Sequence, residues 1–216
     1  MLCLILIASL LPIATFATPT AGKHGRDQKI TQQEFIVEFS TSNPANYSDP
    51  IYHPAQATSN SSTQIVLVAL PPGSPLGTPA FVNYTNQTTD SNGFLYGALD
   101  FDLTNCLKPA VRGIYGAYAP SVGSNYGLAI DISLVKGQQF FDWLYTASTG
   151  GLFHRVAAGS NGFFACNRTI QGKTQLVLDW GAYRTTPVFG APDGCEFTSV
   201  RTRNITQSAR KQKCAV

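Results

Sequence analysis

Residues 162–180 read Gly-Phe-Phe-Ala-Cys-Asn-Arg-Thr-Ile-Gln-Gly-Lys-Thr-Gln-Leu-Val-Leu-Asp-Trp. Two apolar runs flank the break Gln171-Gly172-Lys173, which predicts two strands folded back on each other. The chain then passes a Pro/Gly-rich turn and reaches Pro192-Asp193-Gly194-Cys195. Cys166 and Cys195 therefore bracket the segment, and a glycosylation sequon, Asn167-Arg168-Thr169, adjoins the first. This combination implies a β-rich, disulfide-closed, extracellular module. It carries no catalytic signature.

Outside this stretch the composition points the same way. A chain of 216 residues is long enough to bury most of its unfolded surface as one domain. Charged residues make up 12%, against roughly 25% in ordinary soluble domains, and Ser, Thr, Asn, 19 Gly and 13 Pro fill the balance. That pattern suits a turn-rich all-β protein better than a helical one. A formal charge of +3 is too small to imply a nucleic-acid partner.

The first residues account for the compartment. Leu2, Leu4, Ile5, Leu6, Ile7, Leu10, Leu11 and Ile13 form an apolar core ending at Thr15-Phe16-Ala17, the length of a secretory signal and too short to span a bilayer. Residues 1–17 are expected to be a signal peptide, 18–33 a flexible lead-in, 34–206 the folded domain and 207–216 a basic tail held by Cys214. Six sequons, at Asn46, Asn60, Asn83, Asn86, Asn167 and Asn204, fit the same route, and each occupied site must face solvent.

The cysteines follow from this. Removal of Cys3 with the signal leaves Cys106, Cys166, Cys195 and Cys214, an even set that predicts two bridges in an oxidising compartment. The expected pairing is Cys166–Cys195 and Cys106–Cys214, among three possible connectivities. No CxxC pair occurs and the three histidines are scattered, so no metal is expected, and no cofactor fingerprint is present.

Taken in order, alternation in 34–39 opens the domain on Phe35, Val37 and Phe39. Residues 40–63, rich in Ser, Asn and Pro, are expected to form a long loop. Residues 64–70 read as a buried strand, and 81–85 as a strand near an edge because of its sequon. In 93–103, Leu95, Leu99, Phe101 and Leu103 fall on one face and Asp100 and Asp102 on the other. Residues 114–119 are Gly/Tyr-rich. In 127–136, Leu128, Ile130, Ile132 and Leu134 point inward. Residues 138–147 carry Phe140, Phe141, Trp143, Leu144 and Tyr145, and 152–156 add another candidate. The sum is about ten short strands and no amphipathic helix, hence one antiparallel β-sandwich or barrel.

The acids and histidines are the residues able to carry chemistry. Asp100, Asp102, Asp142, Asp179 and Glu196 are the candidates for a glycan-cleaving carboxylate pair, and Asp100 with Asp102 for a calcium ion, although a solvated strand face explains that pair more simply. No Gly-x-Ser-x-Gly occurs, His154 reads as a strand-surface residue, and His53 sits in the expected loop. Among the aromatics Tyr115, Tyr118, Tyr126, Tyr145, Trp143 and Trp180, stacking on sugar is the binding lead, with Trp143 and Tyr145 singled out. Trp180 aligns with Leu176 and Leu178 and so reads as core. Beyond Phe197 the basic residues Arg201, Arg203, Arg210, Lys211 and Lys213 face no acids in sequence and read as a solubilising or polyanion-attracting tail.

The order Phe-Phe-Ala-Cys at 163–166, Thr-Gln-Leu-Val-Leu at 174–178 and Pro-Asp-Gly-Cys at 192–195 resembles the C-terminal half of a family of small fungal secreted proteins of unknown function. The chain departs from it at Asn167-Arg168, where an acidic residue and an aromatic are expected. The resemblance covers the last third of the chain; it implies secretion and a β-rich fold and transfers no active site.

Two functional classes remain. One is a secreted, non-catalytic glycoprotein binding a glycan, a cell-wall polymer or a host protein. The other is a small β-sandwich hydrolase or lyase acting on polysaccharide.

Overall fold

The computed structural model describes residues 33–46, 48–61, 64–89, 91–106, 109–120, 127–146, 148–155, 161–184 and 190–205. The expected signal peptide, the expected lead-in up to residue 32 and the expected tail lie outside the described residues. Fourteen strands follow in chain order. They are β1 (Phe35–Thr41), β2 (Ile51–Ser59), β3 (Ile65–Ala69), β4 (Pro79–Thr89), β5 (Leu95–Asp102), β6 (Ile114–Tyr118) and β7 (Ala129–Asp131). The rest are β8 (Ser133–Lys136), β9 (Trp143–Thr146), β10 (Gly151–His154), β11 (Asn161–Ile170), β12 (Lys173–Ala182), β13 (Cys195–Phe197) and β14 (Val200–Asn204). Among the described residues the sole helical element is a 3-10 turn, Pro109–Val111.

All ladders are antiparallel, and the sheet closes. Neighbours run β3-β2-β1-β14-β10-β9-β5-β6-β8, and β8 returns to β3 through Ile65↔Leu134 and Val66↔Ser133. The architecture is therefore a nine-stranded barrel, not a sandwich, and closure removes free edges from these strands. β4 bridges β1 and β5. A separate extension, β13-β11-β12, joins at Val177↔Val68, with β7 paired on β12.

Inward side chains fill the barrel. Phe35, Val37 and Phe39 of β1, Leu67 of β3, Leu99 and Phe101 of β5, Leu134 of β8 and Leu152 of β10 belong to one core, which Ala165, Leu178 and Trp180 of the extension complete. Burying each large apolar side chain contributes roughly 1.5–3 kcal/mol, so this shared interior holds barrel and extension together.

The hairpin that decides the fold forms as its sequence requires. Ile170 pairs with Lys173 around a two-residue turn in which Gln171 has φ 51° and Gly172 φ 76°. Both values suit the tight turn whose twist matches antiparallel strands. Gln171 tolerates this conformation because its side chain is tied down, Nε2 donating to the Ser59 carbonyl at 2.7 Å.

Several local expectations require correction. The span 40–63 is not one loop, because β2 occupies its second half and pairs with both β1 and β3. Pro54 and the small polar residues around it disguised a strand whose burial comes from its neighbours. β4 is longer than the expected strand: β1 pairs it only at Pro79 and Ala80, and from Phe81 to Thr89 it lies on β5 alone, with an irregularity between Asn83 and Thr88, so the sequon stretch is at an edge as expected. The run 127–136 is two strands, β7 on β12 and β8 on β6 and β3, so Ile132 and Leu134 are buried while Leu128 and Ile130 are exposed. Leu95 is likewise exposed. Arg201 and Arg203 are not tail residues, because β14 lies inside the barrel and both guanidiniums bind the buried Glu38, through its Oε2 at 3.0 Å and Oε1 at 2.6 Å.

Candidate functional site

Strand register places the most unusual cluster on the outer face of the extension. Phe197 of β13 pairs with Phe164 of β11, Phe164 with Asp179 of β12, and Asp179 with Asp131 of β7. One row thus crosses four strands and runs from aromatic to acidic. Two residues along, Cys166 pairs with Cys195, and the expected bridge between them is present. Tyr183, Ala191 and Cys195 pack over Phe164 and Cys166.

Asp179 is fully buried. Arg168 reaches it from across the hairpin, with Nε donating to Oδ2 at 3.0 Å and Nη2 donating to the same oxygen and to the Ala129 carbonyl at 2.8 Å. Asp131 completes the group, its Oδ1 lying 3.6 Å from Arg168 Nε and its Oδ2 accepting from Gln64 Nε2 at 3.5 Å. Asp179 Oδ1 has no hydrogen-bond partner among the described residues. Burial pushes the Asp179 carboxyl up to about 7, the Arg168 hydrogen bonds and charge oppose that rise, and the adjoining Asp131 reinforces it.

A carboxylate oxygen of Asp179 and the Sγ atoms of Cys166 and Cys195 lie within 4.8 Å of one another. Two thiolates and a carboxylate would suit a thiophilic cation, but the sulfurs here are joined and offer no thiolate. As it stands, the cluster is a buried carboxyl, paired to Arg168, beside a disulfide.

A second buried group lies where the extension meets the barrel. The His154 ring sits 5.0 Å from Trp143 and 4.6 Å from Trp180, and Phe163 packs on both indoles. His154 Nδ1 is buried without a partner among the described residues, and burial lowers the imidazole to about 4. His154 is therefore half-buried, with Nδ1 packed inward against the indoles, and not an open strand-surface residue, because Trp143, its partner across the ladder, turns the same way.

The other candidates separate. Trp143 is 1% exposed and donates Nε1–H to the Ala117 carbonyl at 3.0 Å, so it cannot stack on a sugar. Tyr145 is half-buried and stacked on Phe35, with centroids 5.4 Å apart. Trp180 is core, as its alignment implied. Tyr118 is the exposed member of the aromatic set, 41% accessible and 4.7 Å from Phe140. Tyr126 lies outside the described residues.

Among the acids, Asp100 is buried rather than solvated. Gln139 Nε2 donates to its Oδ2 at 3.2 Å, and burial raises it to about 7 against hydrogen bonds from Gln139 and Asn83. Asp102 accepts from the backbone and hydroxyl of Thr104, so the two do not form an open calcium pair. Glu196 accepts from the Ser42 N–H, and Asp142 lends its charge to His154. His53 is anchored through both ring nitrogens, to Thr41 Oγ1 and the Leu70 carbonyl.

Five sequon asparagines, Asn46, Asn60, Asn86, Asn167 and Asn204, are exposed or half-exposed. Asn83 is only 8% exposed, its Oδ1 accepts from Thr85 N–H and Oγ1, and its side chain also bonds the buried Asp100, so the amide nitrogen that would carry a glycan is not open to solvent. Cys106 is disulfide-bonded, and its expected partner Cys214 lies outside the described residues.

Sequence reasoning picked out Asp179 alone and missed its companions. A signal existed, since a lone acid inside Leu-Val-Leu-Asp-Trp demands a cation. A turn at 171–172 sets Arg168 opposite Gln175, on the same face as Asp179.

Fold and site together define an antiparallel β-barrel with a disulfide-closed hairpin extension. No family model, curated protein or solved structure matches the chain.

Proposed function

We propose that this chain is an exported, N-glycosylated, non-catalytic extracellular protein that binds a partner at a cell wall or on a host. The observation that carries this reading is the Cys166–Cys195 bridge in a sheet whose candidate acids are engaged in the fold itself. A lasting disulfide suits an oxidising compartment, and five sequons open to solvent suit the same route. The described residues contain no helix long and apolar enough to cross a membrane.

Polysaccharide cleavage is the weaker reading. It needs two carboxyls roughly 5–10 Å apart on either side of the scissile bond. Here Asp179 and Asp131 are neighbours under one guanidinium, and Asp100 is covered by Gln139. The partner class is a glycan or wall polymer, with a host protein as the alternative, and the exposed Tyr118 beside Phe140, in place of the buried Trp143 and half-buried Tyr145, is the stacking surface.

The test is a glycan array with protein secreted by a eukaryotic host, run beside a reducing-sugar assay. Saturable binding weakened about fivefold in Tyr118→Ala, with no reducing ends released, supports the proposal. Release of reducing ends by the wild type that disappears in Asp179→Asn replaces it with the hydrolase.

A further inference from the structure

We propose that the Cys166–Cys195 bridge is thiol-responsive, opened by an external thiolate attacking Cys195 Sγ while Asp179 hands a proton to the departing Cys166 sulfur. Access, geometry and satisfaction of the acid all point this way. Cys166 is fully buried and Cys195 partly exposed, so an incoming thiol meets Cys195 and makes Cys166 the leaving group. An Asp179 oxygen lies within 4.8 Å of both sulfurs, a gap closed directly by rotation of the freed Cys166 side chain or through one water. Arg168 occupies Oδ2, Oδ1 has no geometric hydrogen-bond partner among the described residues, and the Asp131 carboxylate beside it competes with the cystine sulfurs for the Asp179 proton.

The charged groups facing Asp179 are Arg168 on β11 and Asp131 on β7, while β3 presents Val68 beyond Val177 and β13 brings only Cys195. In this setting burial raises the carboxyl to about 7, so it is half protonated at neutrality and carries its proton below that pH.

The step balances with two equivalents of a small-molecule thiol. The first thiolate bonds to Cys195 Sγ, the Cys166–Cys195 bond breaks, and Cys166 leaves with the electron pair and takes the Asp179 proton. A second thiolate attacks the mixed disulfide and releases Cys195, oxidising the two reductant thiols to one disulfide; protons from those thiols restore Asp179 and protonate Cys195. The strand set free is β13, which is paired to β11 at three positions.

The test uses the folded glycoprotein and dithiothreitol, with alkylation at timed points and peptide mass spectrometry of both bridges. The rate at Cys166–Cys195 is divided by the thiolate concentration at each pH from 5.5 to 8.5. The wild type needs no variant for the first reading: the normalised rate falls as pH rises through about 7. Asp131→Asn moves that midpoint down, and Asp179→Asn flattens the profile and slows opening about tenfold or more at pH 6. A flat wild-type profile, or loss of this bridge only in step with the Cys106 bridge, overturns the proposal. The second result would mean that reduction follows unfolding.

Discussion

Arg168 and Gln175 face each other across the hairpin ladder, yet the Arg168 guanidinium is committed to Asp179, four residues further along the partner strand. Both donating nitrogens converge on one carboxylate oxygen. The ion pair therefore runs diagonally over the sheet and ties β11, β12 and, through the Ala129 carbonyl, β7 into one unit.

Removing that cation isolates a buried charge. Arg168→Met is expected to cost about 2–3 kcal/mol at pH 8, below the roughly 3–5 kcal/mol for breaking a fully buried pair because Arg168 is partly exposed. At pH 5 Asp179 is protonated in the fold, so the loss shrinks to about half or less. Urea denaturation at the two pH values measures both, and equal losses would contradict the pairing.

Stability should rise on mild acidification. Asp100 and Asp179 are held up near 7 in the fold against 3.8 unfolded, so between these values the native state binds two protons that the unfolded chain has released. His154, lowered to about 4 from 6.5, works in the opposite sense and removes one proton from that balance. The net excess of one native proton makes stability increase by about 1 kcal/mol per pH unit as pH falls from 6 to 4.5. The urea midpoint across that window checks it; a midpoint that drops on acidification excludes these assignments.

Two glycines should respond differently to a methyl group. A Cβ on Gly181 would run into the Leu128 carbonyl oxygen, so Gly181→Ala is expected to cost about 2–3 kcal/mol through displaced backbone. Gly172 has open space around it but φ 76°, so Gly172→Ala loses only about 1 kcal/mol from its left-handed conformation. Thermal melts of the two variants should rank them in that order.

Glycopeptide mapping of exported protein should find sugar among Asn46, Asn60, Asn86, Asn167 and Asn204 and none on Asn83. The buried Asn83 side chain is hydrogen-bonded to Thr85 and beside Asp100. A fully occupied Asn83 would show that β4 sits differently on β5.

Period-two patterns and turn residues were enough to read the β11–β12 hairpin, β1, β3, the inward face Leu99–Phe101–Leu103 and the Cys166–Cys195 bridge. Each depends on contacts close in sequence or on a run of apolar residues that can satisfy only one face. β2 escaped because its burial comes from β1 and β3 and not from its own side chains. The split of 129–136 escaped because the two halves find different partners, which no local alternation records.

By itself the sequence determined an all-β class, a disulfide across the extension and the core position of Trp180, because local pleating and covalent pairing depend on residue type and spacing. Only the tertiary structure decided that the sheet closes into a barrel, that Trp143 is interior with His154 packed against it, and that Asp179 lies among Arg168, Asp131 and the cystine sulfurs. The reason is that burial and pKa are set by what arrives from distant strands, and those partners are fixed by closure of the whole sheet.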